Sequence, residues 1–439
     1  MTPDYQRPAA PVPAQWTDAA TPAAKPVVLD WKTFFPDPRL QGLIAAALEN
    51  NRDLRIAVAR VEEARAQYGI ARADRLPTVA LAASRNAART PADLSMTGDK
   101  ITTQRYDVDL AVTSFEVDFW GRVGSLSEAA KASYLSTEEA RRAFRLSLVA
   151  DVANAYLTLL EMQERQGIAA DTVKTREETR AMIAKRRDVG LAGDLDYLQA
   201  DGALQSARAD LASIVRQRAA AENALRLLVG TSPELPAGRT LADQGIIGDI
   251  PVGLPSEVLV NRPDVLSAEQ ALLAANANIG AARAAFFPRL LLTAALGTAS
   301  KALAGLFEAG QGAWTFQPVL SLPLFDFGRT AANKDLAEAR KIIAIAQYEK
   351  AIQQAFREVA DLLAAREALA GQLSAQEANE KAQADRFKLA EARYEAGISS
   401  YLEVLDAQRD LFTAQQGTVQ TRRALLSAAA GFYKTLGVE

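Results

Sequence analysis

The chain is written twice. A constant shift of 211 positions lays residues 50–83 over residues 261–294, pairing Asp53 with Asp264, Ala57 with Ala268, Gly69 with Gly280 and Arg72 with Arg283. The same shift pairs Pro77 with Pro288 and Leu81 with Leu292. Farther on the shift becomes 207, joining Gly121-Arg122 to Gly328-Arg329, Val152-Ala153 to Val359-Ala360, and Arg186 to Arg393. Gly190 then pairs with Gly397, Leu195 with Leu402, Leu198 with Leu405 and Gly230 with Gly437. The four-residue difference between the shifts falls between Ala83 and Gly121, so one connection there is longer in the first copy. Two copies of this length are too few and too large for a solenoid. A tandem duplication of one supersecondary plan, closing into a ring with further copies, fits better.

Composition narrows the chemistry. With no Cys and no His in 439 residues, thiolate and imidazole nucleophiles, Cys/His zinc sites and the commonest general base are all excluded. No carboxylate pair stands out, so neither an enzyme nor a cofactor or metal site is expected. A net charge of −3 gives no reason to expect a nucleic-acid partner. No unbroken run of apolar residues is long enough for a transmembrane helix, and residues 1–16 lack the apolar run of a signal peptide.

Residues 1–40 carry eight prolines, which predicts an extended segment laid over other structure. From Leu40 a helical pattern runs to about Asp74 and stops before Pro77. Tyr106, Val108, Leu110 and Val112 then alternate with Asp107, Asp109, Ala111 and Thr113, a period of two that predicts a strand. Val79, Leu81 and Ala83 alternate more weakly, and a polar loop is expected from about Arg85 to Gln104. The second copy repeats the plan, with Leu290, Leu292, Ala294 and Leu296 alternating in one strand and Phe316, Leu320 and Leu322 in the next. One hairpin per copy is expected, at about 78–118 and 288–325. A Gly-Arg pair follows each, and then a proline-free helical pattern from Arg122 to Val189 or from Arg329 to Ala396, about 100 Å of helix. Short turns, Gly190-Leu191-Ala192-Gly193 and Gly397-Ile398-Ser399-Ser400, lead into return helices. Their seams, Leu204, Ala207, Leu211, Ile214, Ala221, Leu225 and Leu228, and in the twin Leu411, Ala414, Leu425, Ala428 and Phe432, suit coiled-coil packing. The expected organisation is an N-terminal segment 1–40, a first repeat 41–230, a linker 231–255 and a second repeat 256–439.

Four strands need cover for their apolar face and partners for their edges. Closing strands from several chains into one barrel supplies both, with the apolar face outward and Asp107, Asp109, Thr113, Thr293 and Gln317 lining a wet lumen. A soluble hairpin pair capping a helical bundle is the alternative that periodicity leaves open.

Particular residues point further. The start Pro3-Asp4-Tyr5-x-Arg7-Pro8-x-x-Pro11-Val12-Pro13-x-x-Trp16 resembles the mature start of outer-membrane efflux lipoproteins. Phe119-Trp120-Gly121-Arg122, Phe325-Asp326-Phe327-Gly328-Arg329, Arg393-Tyr394-x-x-Gly397 and Tyr401-Leu402-Glu403-Val404-Leu405-Asp406-Ala407-Gln408 resemble the same family. This is the TolC-like outer-membrane factor family, in its OprM/NodT lipoprotein branch, and the resemblance covers essentially the whole chain. The cysteine that would be acylated is absent, so a processed or engineered start is expected, without lipid attachment in this chain.

The resemblance implies a mixed, mainly α fold. Three chains would form a twelve-stranded outer-membrane β-barrel, four strands each, continuous with a long α-helical periplasmic barrel. It implies a homotrimer in outer-membrane lipid, a periplasmic adaptor and, through it, an inner-membrane transporter. By resemblance Glu403 and Asp406 match the family's constriction acids and Leu402 its apolar gate residue. Tyr394 and Asp196 match a tyrosine and an aspartate that link inner and outer helix pairs. A gating arginine of a relative falls on Ser399, so that latch is expected to be missing, with Arg187 or Arg393 as substitutes. Tyr401 and Arg409 complete the candidate gate. Val189, Gly190 and Leu191, with Ala396, Gly397 and Ile398, would form the adaptor-docking tip. The expected function is a passive exit duct for small toxic compounds. A type I protein-secretion duct and a soluble periplasmic coiled-coil scaffold are the alternatives.

Overall fold

Elements recur in the same order and with nearly matched lengths in the two copies of the computed structural model, which describes residues 1–13, 30–246 and 256–436. Helix α1 (Trp31–Phe34) and α2 (Pro38–Asn50) lead into α3 (Arg52–Ala73), strands β1 (Val79–Thr90) and β2 (Ile101–Val117), α4 (Arg122–Asp188) and α5 (Asp194–Val229). The second copy is α6 (Pro263–Ala284), β3 (Arg289–Ser300), β4 (Gly312–Ser321), α7 (Arg329–Glu395) and α8 (Tyr401–Leu436). Helices α4 and α7 have 67 residues each and α5 and α8 have 36 each, so the duplication extends to element length. Trp16, the 247–255 part of the linker and Gly437 lie outside the described residues.

The single helical pattern expected after Leu40 is two helices. Pro38 opens α2 two residues earlier, and the Asp37 side chain accepts from the Arg39 N–H at 2.8 Å as N-cap. Asn51 divides α2 from α3 by accepting from the Leu54 N–H at 2.8 Å, while its amide donates to the Leu228 carbonyl at 2.8 Å. A capping asparagine inside an apolar-periodic run is a break that periodicity alone does not register.

Contacts divide the chain into two compact units, each drawn from both copies. One comprises residues 1–9, 60–138 and 267–349; the other comprises residues 10–59, 139–266 and 350–439.

The first unit holds the sheet, antiparallel in the order β1-β2-β3-β4. Register aligns Leu81, Leu110, Leu296 and Trp314 across all four strands, with Val79, Val112, Ala294 and Phe316 in the next row of the same face. Most of these side chains are exposed, Leu81 to 75% and Trp314 to 74%, while Val112 and Ala294 in the middle strands are half-buried. On the reverse face Asp107 lies opposite Ser84, Asp109 opposite Gly297, and Thr293 opposite Gln317. Thr113 does not join that row, because a bulge between Val112 and Phe115 places Ser114 at φ 53° with its N–H on the Thr293 hydroxyl. The expected polar loop at 85–104 shrinks to ten residues. The β1–β2 ladder continues through Thr90 and Ile101, since backbone pairing needs no apolar side chain. Among the described residues the outer edges of β1 and β4 have no partner.

Residues 1–9 strap the same unit. Arg7 forks onto Glu269 at 2.7 and 2.6 Å, Tyr5 donates to the same carboxylate at 2.9 Å, and Asn276 donates to the Pro3 carbonyl at 2.8 Å. Burial and the bonded Glu269 raise the Tyr5 pKa, so the phenol stays a donor.

The second unit is built around Phe34, Phe35, Leu40, Ile44, Val152, Tyr156, Leu241, Phe432 and Tyr433. By composition one 18-residue window of α4 would qualify to cross a membrane, although it contains no unbroken apolar run. Half of it is buried, and α4 contributes Leu146, Val149, Val152 and Leu157 to this core. Asp37 lies fully buried beside it, accepting from Tyr156 (3.0 Å), Gln244 (2.9 Å) and the Arg239 N–H (3.1 Å). Burial opposes its ionisation, but these donors outweigh it and its pKa is lowered.

Candidate channel gate and helical tip

Each long helix ends in the same way. Gly190 (φ 76°) and Gly397 (φ 71°) adopt the left-handed conformation, with no heavy atom within 4 Å of where a Cβ would lie. The Gly190 N–H donates to the Arg187 carbonyl (2.9 Å) and the Leu191 N–H to that of Arg186 (2.8 Å); Gly397 and Ile398 do the same to Tyr394 (3.0 Å) and Arg393 (2.9 Å). These paired bonds are Schellman caps, satisfying carbonyls that a helix end otherwise leaves open. The turns thrust Val189, Leu191 and Ile398 into solvent, each about 70% exposed or more, beside exposed Ala396 and Gly397.

Behind the turns a small core of Ile183, Ala200, Ala390, Tyr401, Val404 and Ala407 joins the two helical hairpins. Tyr401 is 3% exposed, and its ring meets Tyr394 at 5.6 Å. Burial pushes its phenol up to about 12, with Arg176 opposing and Tyr394 and Asp196 reinforcing. Leu402 and Glu403, next in sequence, are exposed, and Leu402 is 53% accessible. One helical turn on, the half-buried Asp406 pairs with Arg409 at 3.2 Å. Arg409 also approaches Asp410 at 3.4 Å, and Arg386 reaches Asp410 from α7 at 2.7 Å. The Arg386 bond leads in lowering the Asp410 pKa.

The first hairpin holds itself differently. Arg180 donates to Asp201 at 2.6 Å and to the Tyr197 hydroxyl at 2.5 Å, and Arg187 stacks over the Tyr197 ring at 4.2 Å. Arg187 also pairs with Asp188 at 3.4 Å. Tyr394 makes no hydrogen bond with Asp196 among the described residues; its ring lies under Arg186 at 5.1 Å. Ser399, the position matched to a latch arginine, has its hydroxyl buried without a hydrogen-bond partner among the described residues.

Sequence reading passed over Arg180, Asp201, Arg386 and Asp410. Each pair lies at matched distances either side of a Gly turn, a signal available once the hairpins are assigned. It also passed over Arg176, which is 8% exposed and donates to the Ala203 carbonyl at 2.6 Å, and Gln408, buried with neither amide atom bonded among the described residues.

Residues 43–231 and 254–438 match the family described as outer membrane efflux protein. The chain belongs to that family. It is 45% identical over 448 residues to the probable efflux pump outer membrane protein TtgC of Pseudomonas putida, covering all of this chain and 92% of TtgC. Against the outer membrane protein OprJ of Pseudomonas aeruginosa it is 44% identical over 445 residues, with the same coverage. Among solved structures, a membrane protein from Pseudomonas aeruginosa superposes with a TM-score of 0.92 at 43% identity, each chain fully covered. The open state of the MtrE outer membrane channel of Neisseria gonorrhoeae superposes at 0.89 and 40% identity, covering 100% of this chain and 98% of MtrE. The efflux family member is thus an outer-membrane protein with the mainly α, four-strand-per-chain fold of these channels.

Proposed function

We propose that this outer-membrane efflux protein is the passive exit duct of a tripartite pump. In this reading three copies close one twelve-stranded barrel and conduct small toxic compounds, with no catalysis of their own. The observation that carries the reading is the sheet: four strands whose two outer edges have no partner among the described residues, and one apolar face that is largely exposed. Lipid covers such a face and neighbouring copies pair such edges. Residues 41–230 and 256–439 are then the duplicated halves of one wall. Leu402, Glu403 and Asp406 form rings at the constriction, supported by Tyr394, Tyr401, Asp196 and Arg409; bulk and dewetting at Leu402 oppose flow, and the carboxylates act on charge. The exposed turns at Val189–Leu191 and Ala396–Ile398 dock a periplasmic adaptor that links the duct to an inner-membrane transporter.

The test is planar-bilayer conductance of the detergent-purified protein beside a Leu402→Ala, Asp406→Ala double variant. Small, rarely open currents that rise several-fold in the variant are expected. Conductance unchanged by the variant removes these residues from the gate. A species soluble without detergent and without conductance removes the duct and leaves a scaffold.

A further inference from the structure

Charge on the sheet is divided by face. The face that carries Leu81, Leu110, Leu296 and Trp314 continues along β1 as Ala83, Arg85, Ala87 and Arg89. Along β2 it continues as Val108, Tyr106, Gln104 and Thr102. No Asp or Glu stands on this face in any of the four strands, because Asp107, Asp109 and Glu116 all lie on the reverse face. Its two charged side chains are therefore both cations, and both stand toward the hairpin tip. At the other end the face closes on Val117, Leu290 and Leu320, without charge.

Register sets the two arginines just past the apolar rows. Arg85, Tyr106 and Ser300 form the last row that three strands share. Beyond it residues 101–105 of β2 pair with β1 alone, so Arg89, opposite Thr102, rides on a two-stranded overhang. The Arg85 guanidinium lies over the Tyr106 ring at 5.5 Å and donates to the Gln104 side-chain carbonyl at 3.3 Å. These contacts hold it at the level of the aromatic ring rather than folded toward Arg89. Both arginines are exposed, neither is paired with a carboxylate among the described residues, and Arg89 makes no hydrogen bond among them. Four residues of strand separate the two, about 13 Å of backbone.

We propose that Arg85 and Arg89 form a binding site for a membrane lipid whose headgroup carries more than one phosphate. The inference rests on the barrel reading above, in which this face meets lipid and the hairpin tips face the exterior. Its acyl chains would lie along the Leu81, Leu110, Leu296 and Trp314 row, and its headgroup would begin at Tyr106, where the apolar rows end. A guanidinium offers parallel N–H donors that match a phosphate, and on this face no carboxylate competes for them. One phosphate satisfies one of two cations that are held apart; a second phosphate on the same headgroup satisfies the other. Because the opposite end of the face is uncharged, the site serves the exterior leaflet alone.

Native mass spectrometry of the detergent-purified protein tests the site by counting the ligands it retains. The probes are lipid A with two phosphates, its mono-phosphorylated form, phosphatidylglycerol and inorganic phosphate. Preferential retention of the two-phosphate lipid is expected. Arg85→Gln and Arg89→Gln should each lower that retention about five-fold, toward the mono-phosphorylated level. Arg105→Gln removes a cation from the reverse face, where Arg105 bonds Asp107 at 2.7 Å, and should leave retention unchanged. Equal retention of the two lipid A forms overturns the proposal, as does an Arg105→Gln loss matching that of Arg89→Gln. Displacement of the lipid by inorganic phosphate would reveal a plain anion site and overturn the lipid assignment. The mass of the particle separates the two ways of failing. A detergent-bound three-chain particle that does not distinguish these lipids overturns the site alone; a single chain soluble without detergent overturns the barrel with it.

Discussion

The turn that closes the first copy and the turn that closes the second share their hydrogen bonds, their left-handed glycines and the lengths of their flanking helices, yet their side chains differ. Under the 207 shift Tyr394 replaces Arg187, Tyr401 replaces Asp194, Asp406 replaces Gln199 and Arg409 replaces Gly202. The first hairpin is locked to itself by Arg180, Tyr197 and Asp201. The second buries Tyr401 in the shared core and so presents Leu402, Glu403 and Asp406 from a fixed starting point. Duplication supplied one backbone plan with an arginine–aspartate bond across each hairpin, and divergence added the Tyr197 contacts to one clamp and the candidate constriction to the other copy.

The sharpest way to break this division is to exchange the twin leucines. Leu195 and Leu402 are both exposed, at 67% and 53%, on the first turns of α5 and α8. Leu402→Ala is expected to raise single-channel conductance several-fold, and Leu195→Ala to leave it near the parent value. Equal rises would show that both copies line the constriction. The next largest effect falls on Tyr401. Its truncation to Ala empties a buried aromatic site and is expected to destabilise the tip by about 3 kcal/mol. Amide hydrogen exchange of α8 checks this, with protection near Tyr401 falling well before that of the core around Tyr156. Smaller, and equal in the two copies, is the cost of Gly190→Ala or Gly397→Ala, about 1 kcal/mol each. Only backbone conformation opposes a methyl group at these sites. A much larger cost at one turn would reveal a packing partner there in the assembled protein.

How far the sequence carried this reading depends on what kind of signal each feature leaves. The proline-free α4 and α7, the Gly turns and the alternating faces of β2 and β3 were legible because each repeats a period many times. Asn51 was not, because a cap is a single polar side chain within a helical pattern. The β1–β2 ladder beyond Arg85 was hidden for a related reason, since its polar side chains carry no period while the backbone still pairs. At the tip, the resemblance pointed to Leu402 and Asp406, and geometry added Arg386 and Asp410, which pair across a helical hairpin 24 residues apart in sequence. Geometry also gave the Tyr394 ring two contacts, to Arg186 and to Tyr401, that the sequence does not announce.

The finest test of the comparison is acid. Asp410 has a lowered pKa in the folded state, first because Arg386 bonds it, so its contribution is present above the unfolded pKa and is lost as pH falls through the folded value. Nothing should change between neutral pH and about pH 5; the Arg386–Asp410 link should weaken below about pH 4, where an ordinary aspartate protonates. The pair is partly exposed, so the loss is expected to stay under about 1 kcal/mol. In the first hairpin Arg180 holds the Tyr197 hydroxyl as well as Asp201, and the hydroxyl bond and the ring contact do not require an ionised carboxylate. Acid should therefore loosen the α7–α8 end more than the α4–α5 end, read as a larger gain in amide exchange around residues 386–410 than around 180–201. Arg386→Gln should abolish that difference by breaking in advance the ion pair that protonation of Asp410 would weaken. If both ends loosen equally, and do so still in the variant, the asymmetry between clamp and gate lies in packing around Tyr401 rather than in these charges.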